Sequence, residues 1–300
     1  MLSGQFPAPV CAILGGFAGA SASLRDLLAV APLRELLGAT GETNVQNEST
    51  AKLDDMANTL FLDALRLPGV SLLISEEETE PVEVGAGAYT CCFDPLDGSS
   101  NIGVASVGSV LGVYANAPDA NGEFQLSGRQ LVAAAFTVYG LPTMLIVASP
   151  SRVDGFAYDP GDRSWRLVSP DIRAPHAQYV SINWTYRDRW PARVARGVDH
   201  ASTGLRGRYS GSMVEDVFRV LMSGGVFLYP EDTASPRGKL RMLYEVCPIG
   251  FVMEAAGGSA MDGATPVLDV PITSPHQRGP MIVGDREAVL RYHSAYVLED

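Results

Sequence analysis

Along this chain the hydrophobic positions switch between two periods, and the switches mark the elements. Over residues 49 to 65, "STAKLDDMANTLFLDAL", the residues Leu53, Met56, Ala57, Leu60, Phe61, Ala64 and Leu65 fall at offsets 0, 3, 4, 7, 8, 11 and 12, which predicts a helix with one apolar stripe. Short apolar runs rich in β-formers predict strands: "VSLLIS" (70 to 75) ending in "EEETE", "YTCCF" (89 to 93) ending in "DPLDG", then "SVGSVLGVYA" and "LVAAAFTVYG". "GFAYDPGDRSWRLV" reads as a hairpin turning at Asp159 to Asp162. "SPDIRAPHA", with two prolines and no periodicity, is the candidate domain boundary near residue 170. Beyond it, "SGSMVEDVFRVLMSGG" predicts a helix opened by a capping box, Ser212 with Glu215, and closed by Gly224 and Gly225. A strand "VFLYP" follows, then the helical segment "GKLRMLYEVCPIGFVMEAAGG", in which Pro248 must begin or kink a helix. Helices and strands alternate without an internal repeat, so the class is α/β or a layered mix of the two.

Composition narrows the function. Three hundred residues at 46% hydrophobic suffice for one or two domains with a core, which argues against disorder. The formal charge of −12 and the lack of any Lys or Arg run exclude nucleic acid and anionic membrane surfaces as partners. The apolar run "QLVAAAFTVYGLPTMLIVAS" is broken by Gly140 and Pro142, so no segment reads as a clean membrane span, and the N-terminus lacks the basic start of a signal peptide. Cys11, Cys91, Cys92 and Cys247 have no metal-like spacing and are expected to be buried reduced thiols in a cytoplasmic protein.

Candidate chemistry sits where two strands stop. Glu76, Glu77, Asp94 and Asp97 leave the ends of apolar runs, where layered sheet proteins usually place their sites. If those strands are neighbours, four carboxylates converge, and two unit charges ~4 Å apart repel by about 4 kcal/mol at an effective dielectric of ~20. A divalent cation relieves that repulsion, and oxygen ligands with no His or Cys nearby favour Mg²⁺ or Mn²⁺ over zinc. His176, His200, His276 and His293 are scattered and read as packed or surface residues. In "GSSN", Gly98 permits a tight turn whose N–H groups, with the Ser99 and Ser100 hydroxyls, can form a nest for an anion. An ordinary turn is the alternative for "DGSS" taken alone; its place after a strand-end acid pair points to phosphate beside metal.

"DPLDGSSNI", "SEE", "GATGETNVQNESTAKLD", "YSGSMVEDV", "GGVFLYP", "GKLRMLYE" and "EAAGG…LDV…HQR" resemble class I fructose-1,6-bisphosphatase, in order, from about residue 36 to 284. The first signature alone is similar to the wider superfamily of metal-dependent, lithium-sensitive sugar and inositol phosphatases. The resemblance implies Mg²⁺-dependent hydrolysis of the 1-phosphate of fructose 1,6-bisphosphate, a gluconeogenic reaction, in a fold of alternating helix layers and mixed sheets. It implies that Glu48, Glu76, Glu77, Asp94, Asp97, Glu245 and the Leu96 carbonyl surround two or three Mg²⁺ ions, with Mn²⁺ as a substitute. Asp54 matches an acidic position there too, and Glu77 and Asp54, beside Glu76, match the carboxylates that activate the attacking water. Asp97, Gly98, Ser99, Ser100 and Arg241 match the site of the departing phosphate. Asn183, Tyr186, Tyr209, Tyr229 and Lys239 match the pocket for the 6-phosphate and furanose ring. Arg208 matches an arginine that reaches in from a neighbouring subunit, which implies a homodimer or homotetramer. Residues 1–170 would carry the metals and 171–300 the sugar-phosphate pocket together with Glu245.

The chain also departs from that pattern. Asn47 stands where a glycine usually precedes the acid, and Trp184 where glutamate usually follows the asparagine of the sugar-phosphate loop. Some members bind the inhibitor AMP through a long first helix; here "SASLRDLLAVAPLRELLG" reads as a short one, and Ala88 and Ala115 stand where basic residues are expected. Inhibition by AMP at that site is therefore not expected, and without the cysteine-bearing loop of plastid members neither is thiol control. Sedoheptulose-1,7-bisphosphatase, or a dual-specificity enzyme of the Calvin cycle, shares most of these residues and is the alternative, toward which "YEVCPIGF" leans slightly, whereas "SSNI" and "FLYP" lean toward fructose. A metal-binding regulator without turnover would be expected to have lost an acid, and none is missing.

Overall fold

The computed structural model describes residues 4–34, 36, 39–43, 49–116 and 126–298. It opens with helix α1 (Ala8–Val30), strands β1 (Ala39–Thr43) and β2 (Ser49–Ala51) and helix α2 (Lys52–Leu65), followed by β3 (Val70–Ser75), β4 (Val82–Glu83), β5 (Tyr89–Asp97) and β6 (Gly108–Ala115). Next come β7 (Leu126–Ser127), β8 (Leu131–Val138), β9 (Met144–Ser149), β10 (Arg152–Asp159), β11 (Ser164–Ser169) and β12 (Tyr179–Ser181). Helix α3 (Ala192–Ser202), β13 (Arg206–Gly207), α4 (Met213–Ser223), β14 (Gly225–Tyr229) and β15 (Leu240–Arg241) lead to a π-helical turn over Met242–Val246. The chain continues through α5 (Cys247–Ala255), β16 (Ser259–Met261), β17 (Pro271–Ile272), β18 (Arg278–Gly279), β19 (Met281–Gly284) and α6 (Arg286–Tyr296).

Two mixed sheets carry the architecture. The larger has eight strands in the order β11-β10-β9-β8-β6-β5-β3-β4, antiparallel except for β3 against β5. The smaller has five in the order β13-β12-β14-β19-β16, with β12 parallel to both its neighbours. Strand parity then sorts the side chains into cores. Cys91, Phe93, Leu111 and Ala133 face α1 and α2, whereas Cys92, Val110, Ala134 and Phe136 face α4, α5 and the inner side of the second sheet. The outer side of that second sheet, Val226, Leu228 and Ile282, packs on α3 and α6 through Val194, Val198 and Val289. The result is a stack of helices, sheet, helices, sheet, helices, the layered class the alternating pattern implies.

Most predicted elements form, with three corrections. Helix α2 begins at Lys52, because Ser49–Ala51 is strand β2. Its buried face takes Leu53, Ala57, Phe61 and Leu65 from the predicted stripe but leaves Met56 exposed and buries Asp54 and Asn58 in its place. The N-terminal segment is not short: α1 runs 23 residues, and Val10, Ile13, Leu14, Phe17, Ser21 and Leu24 form its buried side. Three glycines obscure that stripe in the sequence, and one explains itself, since a Cβ on Gly16 would lie 2.5 Å from the Ala64 carbonyl oxygen of α2. By length and composition α1 is apolar enough to cross a membrane, contrary to the reading of the sequence, yet Phe17 packs on Phe61 at 5.2 Å and Phe61 on Phe93 at 6.0 Å, tying α1 through α2 to β5. The third correction concerns the capping box of α4. Ser212 makes no capping hydrogen bond; the Val214 N–H of the first turn donates instead to Asp97 Oδ2 at 3.1 Å, and Glu215 accepts from the Ser106 N–H at 3.0 Å.

Candidate active site

Strict strand parity would put Asp94 and Asp97 on opposite faces of β5, because they are an odd number of residues apart. A bulge prevents this. Asp94 pairs with Val110 and Asp97 with Gly108, so three steps on β5 match two on β6 and one extra residue is absorbed. Both carboxylates then point to the side on which Cys92 faces α5. Leu96 lies inside the bulge, outside the ladder register, with its N–H held by Asp94 Oδ1 at 2.9 Å.

Glu245 meets them from the far half of the chain on the π-helical turn. A π turn is rarely stable by itself, and this one is tied down. The Arg241 N–H donates to Glu245 Oε2 at 2.5 Å, the Met242 N–H to the Gln277 carbonyl at 2.8 Å, and the Tyr114 hydroxyl to the Leu243 carbonyl at 2.7 Å. Tyr244 adds a fourth tie, its hydroxyl lying 2.9 Å from His276 Nδ1. Asp94, Asp97 and Glu245 each offer an oxygen within 4.8 Å of the others, and all three are buried. Burial pushes the Asp94 carboxyl well up, helped by Glu76, Asp97 and Glu245. Burial raises Glu245 likewise, against the N–H and charge of Arg241. Asp97 is pushed up to about 7, burial outweighing its hydrogen bond from Val214. Carboxylates crowded this way are costly as bare anions. Their all-oxygen chemistry fits a hard divalent cation, and no His or Cys joins the group among the described residues.

Other predicted residues border this cluster. Glu76 follows β3, its N–H donating to the Phe93 carbonyl at 3.1 Å, and its charge acts on Asp94, Asp97 and Glu245. Glu77 is next, and its N–H donates to Ser75 Oγ at 3.3 Å. Asp54 is buried in the first turn of α2, one turn before Asn58, which touches Ser75. Glu48 lies outside the described residues. Gly98, at φ 76°, turns the chain from β5 into a short 3₁₀ turn over Ser99–Asn101. Beside the acids, the buried Arg241 donates from Nη1 to the Lys239 carbonyl at 3.1 Å and leaves Nε without a hydrogen-bond partner.

A second pocket adjoins. Asn183, Tyr186, Trp190, Tyr229, Ser235 and Lys239 line it. Lys239 Nζ lies 4.7 Å from the Tyr186 ring centre, and Tyr209 hydrogen-bonds Asn183. Burial raises the Tyr229 phenol, and the charges of Tyr209, Tyr186 and Glu245 add to the shift, so the acid cluster lies within electrostatic reach of this pocket. Trp184 is outside the lining and packs on Trp190 at 5.9 Å, so the departure from the family pattern at this position does not fill the pocket. Arg208 does not line it either; its guanidinium lies 5.6 Å from the Tyr179 ring centre. Asn58, Ser75, Tyr244 and His276 were not candidates from sequence. Only Asn58 had a signal there, its spacing of one helical turn from Asp54.

Comparison with known proteins gives the family. The family model for the N-terminal domain of fructose-1,6-bisphosphatase matches residues 12–170, and that for its C-terminal domain matches residues 174–297. The cytosolic fructose-1,6-bisphosphatase of a Saccharum hybrid is 40% identical over 281 residues, 89% of this chain and 82% of that protein. A class 1 fructose-1,6-bisphosphatase of Acaryochloris marina is 36% identical over 97% of this chain and 92% of its own length. The crystal structure of Leishmania major fructose-1,6-bisphosphatase in holo form superposes with a TM-score of 0.92 at 32% identity, covering 98% of this chain and 96% of the other.

Proposed function

The chain belongs to the fructose-1,6-bisphosphatase family, and on that premise we propose that it hydrolyses the 1-phosphate of fructose 1,6-bisphosphate to fructose 6-phosphate and phosphate. The observation that carries this reading is the convergence of Asp94, Asp97 and Glu245, three buried carboxylates from both halves of the chain, within 4.8 Å beside an arginine and a glycine-serine turn.

Asp94, Asp97, Glu245 and Glu76 would hold Mg²⁺, with Glu77, the Leu96 carbonyl and Glu48 as further ligands. Bound there, Mg²⁺ neutralises phosphoryl charge, makes water more acidic and eases the leaving of the alkoxide. Glu77 and Asp54 take the proton of the attacking water as its oxygen bonds to phosphorus. The bond from phosphorus to the C1 oxygen breaks, that oxygen takes a proton from solvent, and the Ser99 and Ser100 turn with Arg241 Nε receives the phosphate. Asn183, Tyr186, Tyr209, Tyr229 and Lys239 hold the 6-phosphate and ring through hydroxyl, amide and ammonium donors. Arg208, lying outside its own pocket, would serve a neighbouring subunit in a homodimer or homotetramer. The division at 1–170 and 171–300 is supported by the limits of the two family models, and a cytoplasmic location by the printed names of several relatives.

The test is phosphate release by the purified protein, with Mg²⁺ and with EDTA, from fructose 1,6-bisphosphate, sedoheptulose 1,7-bisphosphate and inositol 1-phosphate in parallel. Mg²⁺-dependent turnover of the first is expected. Release from the inositol ester alone would overturn the sugar-bisphosphate reading.

A further inference from the structure

We infer that Asn58 is the positioning residue that sets the Glu76–Glu77 turn against α2. The turn spans four residues: the Glu78 N–H donates to the Ser75 carbonyl at 3.4 Å, and Glu76 and Glu77 are its two central positions. Asn58 grips both of its ends. Ser75 Oγ donates to Asn58 Oδ1 at 2.7 Å, and Asn58 Nδ2 donates to Glu78 Oε1 at 2.8 Å. The Ser75 hydroxyl also accepts from the Glu77 N–H at 3.3 Å, so one chain of bonds runs from the Glu77 backbone to helix α2.

The orientation of the amide is dictated by its partners. An ionised carboxylate only accepts, so Nδ2 must face Glu78 and Oδ1 must face the Ser75 hydroxyl. Asn58 and Ser75 are both buried, which excludes competing water and leaves any lost partner unsatisfied. Asp54 is one turn earlier on the same buried side of α2. The side chain of Asn58 therefore fixes the distance between Asp54 and the pair Glu76 and Glu77, three acids contributed by two elements. A helix and a strand end meeting only through apolar contacts could slide by an ångström, and acids that share a cation do not tolerate such looseness.

The inference rests on the metal-dependent reading above, and its test has a readout besides turnover. Binding of Mn²⁺ without substrate is followed by the electron paramagnetic resonance of the free ion, alongside melting temperature in EDTA and with Mn²⁺. Asn58→Leu and Ser75→Ala are expected to weaken Mn²⁺ binding about tenfold each, from the loss of buried hydrogen bonds. The double variant should be little weaker than either single, because the two residues act as one unit. Glu78→Gln keeps an acceptor for Asn58 and should bind Mn²⁺ like the unaltered protein, whereas Glu78→Ala should not. If Asn58→Leu does not fold, Ser75→Ala and Glu78→Ala carry the same expectation. Variants with unchanged Mn²⁺ binding and only a lower melting temperature in EDTA would overturn the inference by making the contact purely structural. An unaltered protein that binds Mn²⁺ but releases no phosphate sinks the proposed reaction and not the clamp; one that binds no Mn²⁺ sinks both.

Discussion

Asp97 is acted on by several neighbours at once: burial raises its carboxyl, the Val214 N–H lowers it, and the charge of Glu76 raises it again, with a balance near pH 7. A side chain in that state can exchange its proton for a cation, the role proposed for it above. Glu77 is proposed for a different task, that of the base. Changing Glu77→Gln keeps the size and removes the base, so kcat should fall by about 10²–10⁴-fold in a phosphate-release assay, with the melting temperature nearly unchanged. The distal pocket should answer in the other parameter. Lys239→Ala removes a charged donor from the pocket wall and should raise KM for fructose 1,6-bisphosphate about tenfold or more, with kcat at saturation much less affected; an equal fall in kcat would place Lys239 in the chemistry instead. At this scale the sequence was most legible. "DPLDGSS" and "SEE" name their own donors, because the chemistry of a carboxylate is local. Asn58 was barely legible: its spacing from Asp54 was the one signal, and a helical asparagine becomes informative only when the strand end it touches is known.

Two irregular elements do most of the placing. The bulge between Asp94 and Asp97 cancels strand parity, and the π turn swings Glu245 inward. Neither is written in apolar periodicity, since both are single-residue departures from a regular repeat. The capping box at Ser212 and Glu215 misled for a related reason: the Glu215 carboxylate that would have reached back to the Ser212 N–H accepts instead from the Ser106 N–H, a residue distant in sequence. Gly98 tests the turn itself. At φ 76°, with its Cβ position 3.3 Å from Ser212 Oγ, Gly98→Ala should cost roughly 1–2 kcal/mol and lower phosphate release by displacing the serines. Chemical denaturation and the turnover assay on one sample check both effects; an unchanged midpoint would mean that the turn is not strained. Helix α1 belongs to this scale as well. Its full length removes one ground for expecting no response to AMP, and Ala88 and Ala115 leave the other. Micromolar AMP should not inhibit. Inhibition that disappears when residues 20 to 30 are changed would sink that expectation.

At the scale of the whole molecule the acid cluster is a load on the fold that metal removes. For Asp94, Asp97 and Glu245 the folded-state pKa is raised above the unfolded value, so between about pH 4 and pH 7 the metal-free folded chain holds protons that the unfolded chain has released. Stability of the metal-free protein must then fall as pH rises through that window. In EDTA the melting temperature should be higher at pH 5.5 than at pH 7.5, and Mg²⁺ at pH 7.5 should recover most of the difference by binding the folded state alone. Asp97→Asn should flatten the EDTA profile, which separates this effect from the general repulsion of a chain with net charge −12. The layered class was legible because stripes and alternating runs state which face each element must bury. The sequence alone named the candidate donors, their all-oxygen chemistry and most of the elements that carry them, since each depends on residue type and on neighbours a few positions away. The tertiary structure alone decided that Asp94 and Asp97 share a face, that Glu245 joins them, and that Asn58 holds the Glu76–Glu77 turn. Those are contacts between layers, and local periodicity contains no information about which layers meet.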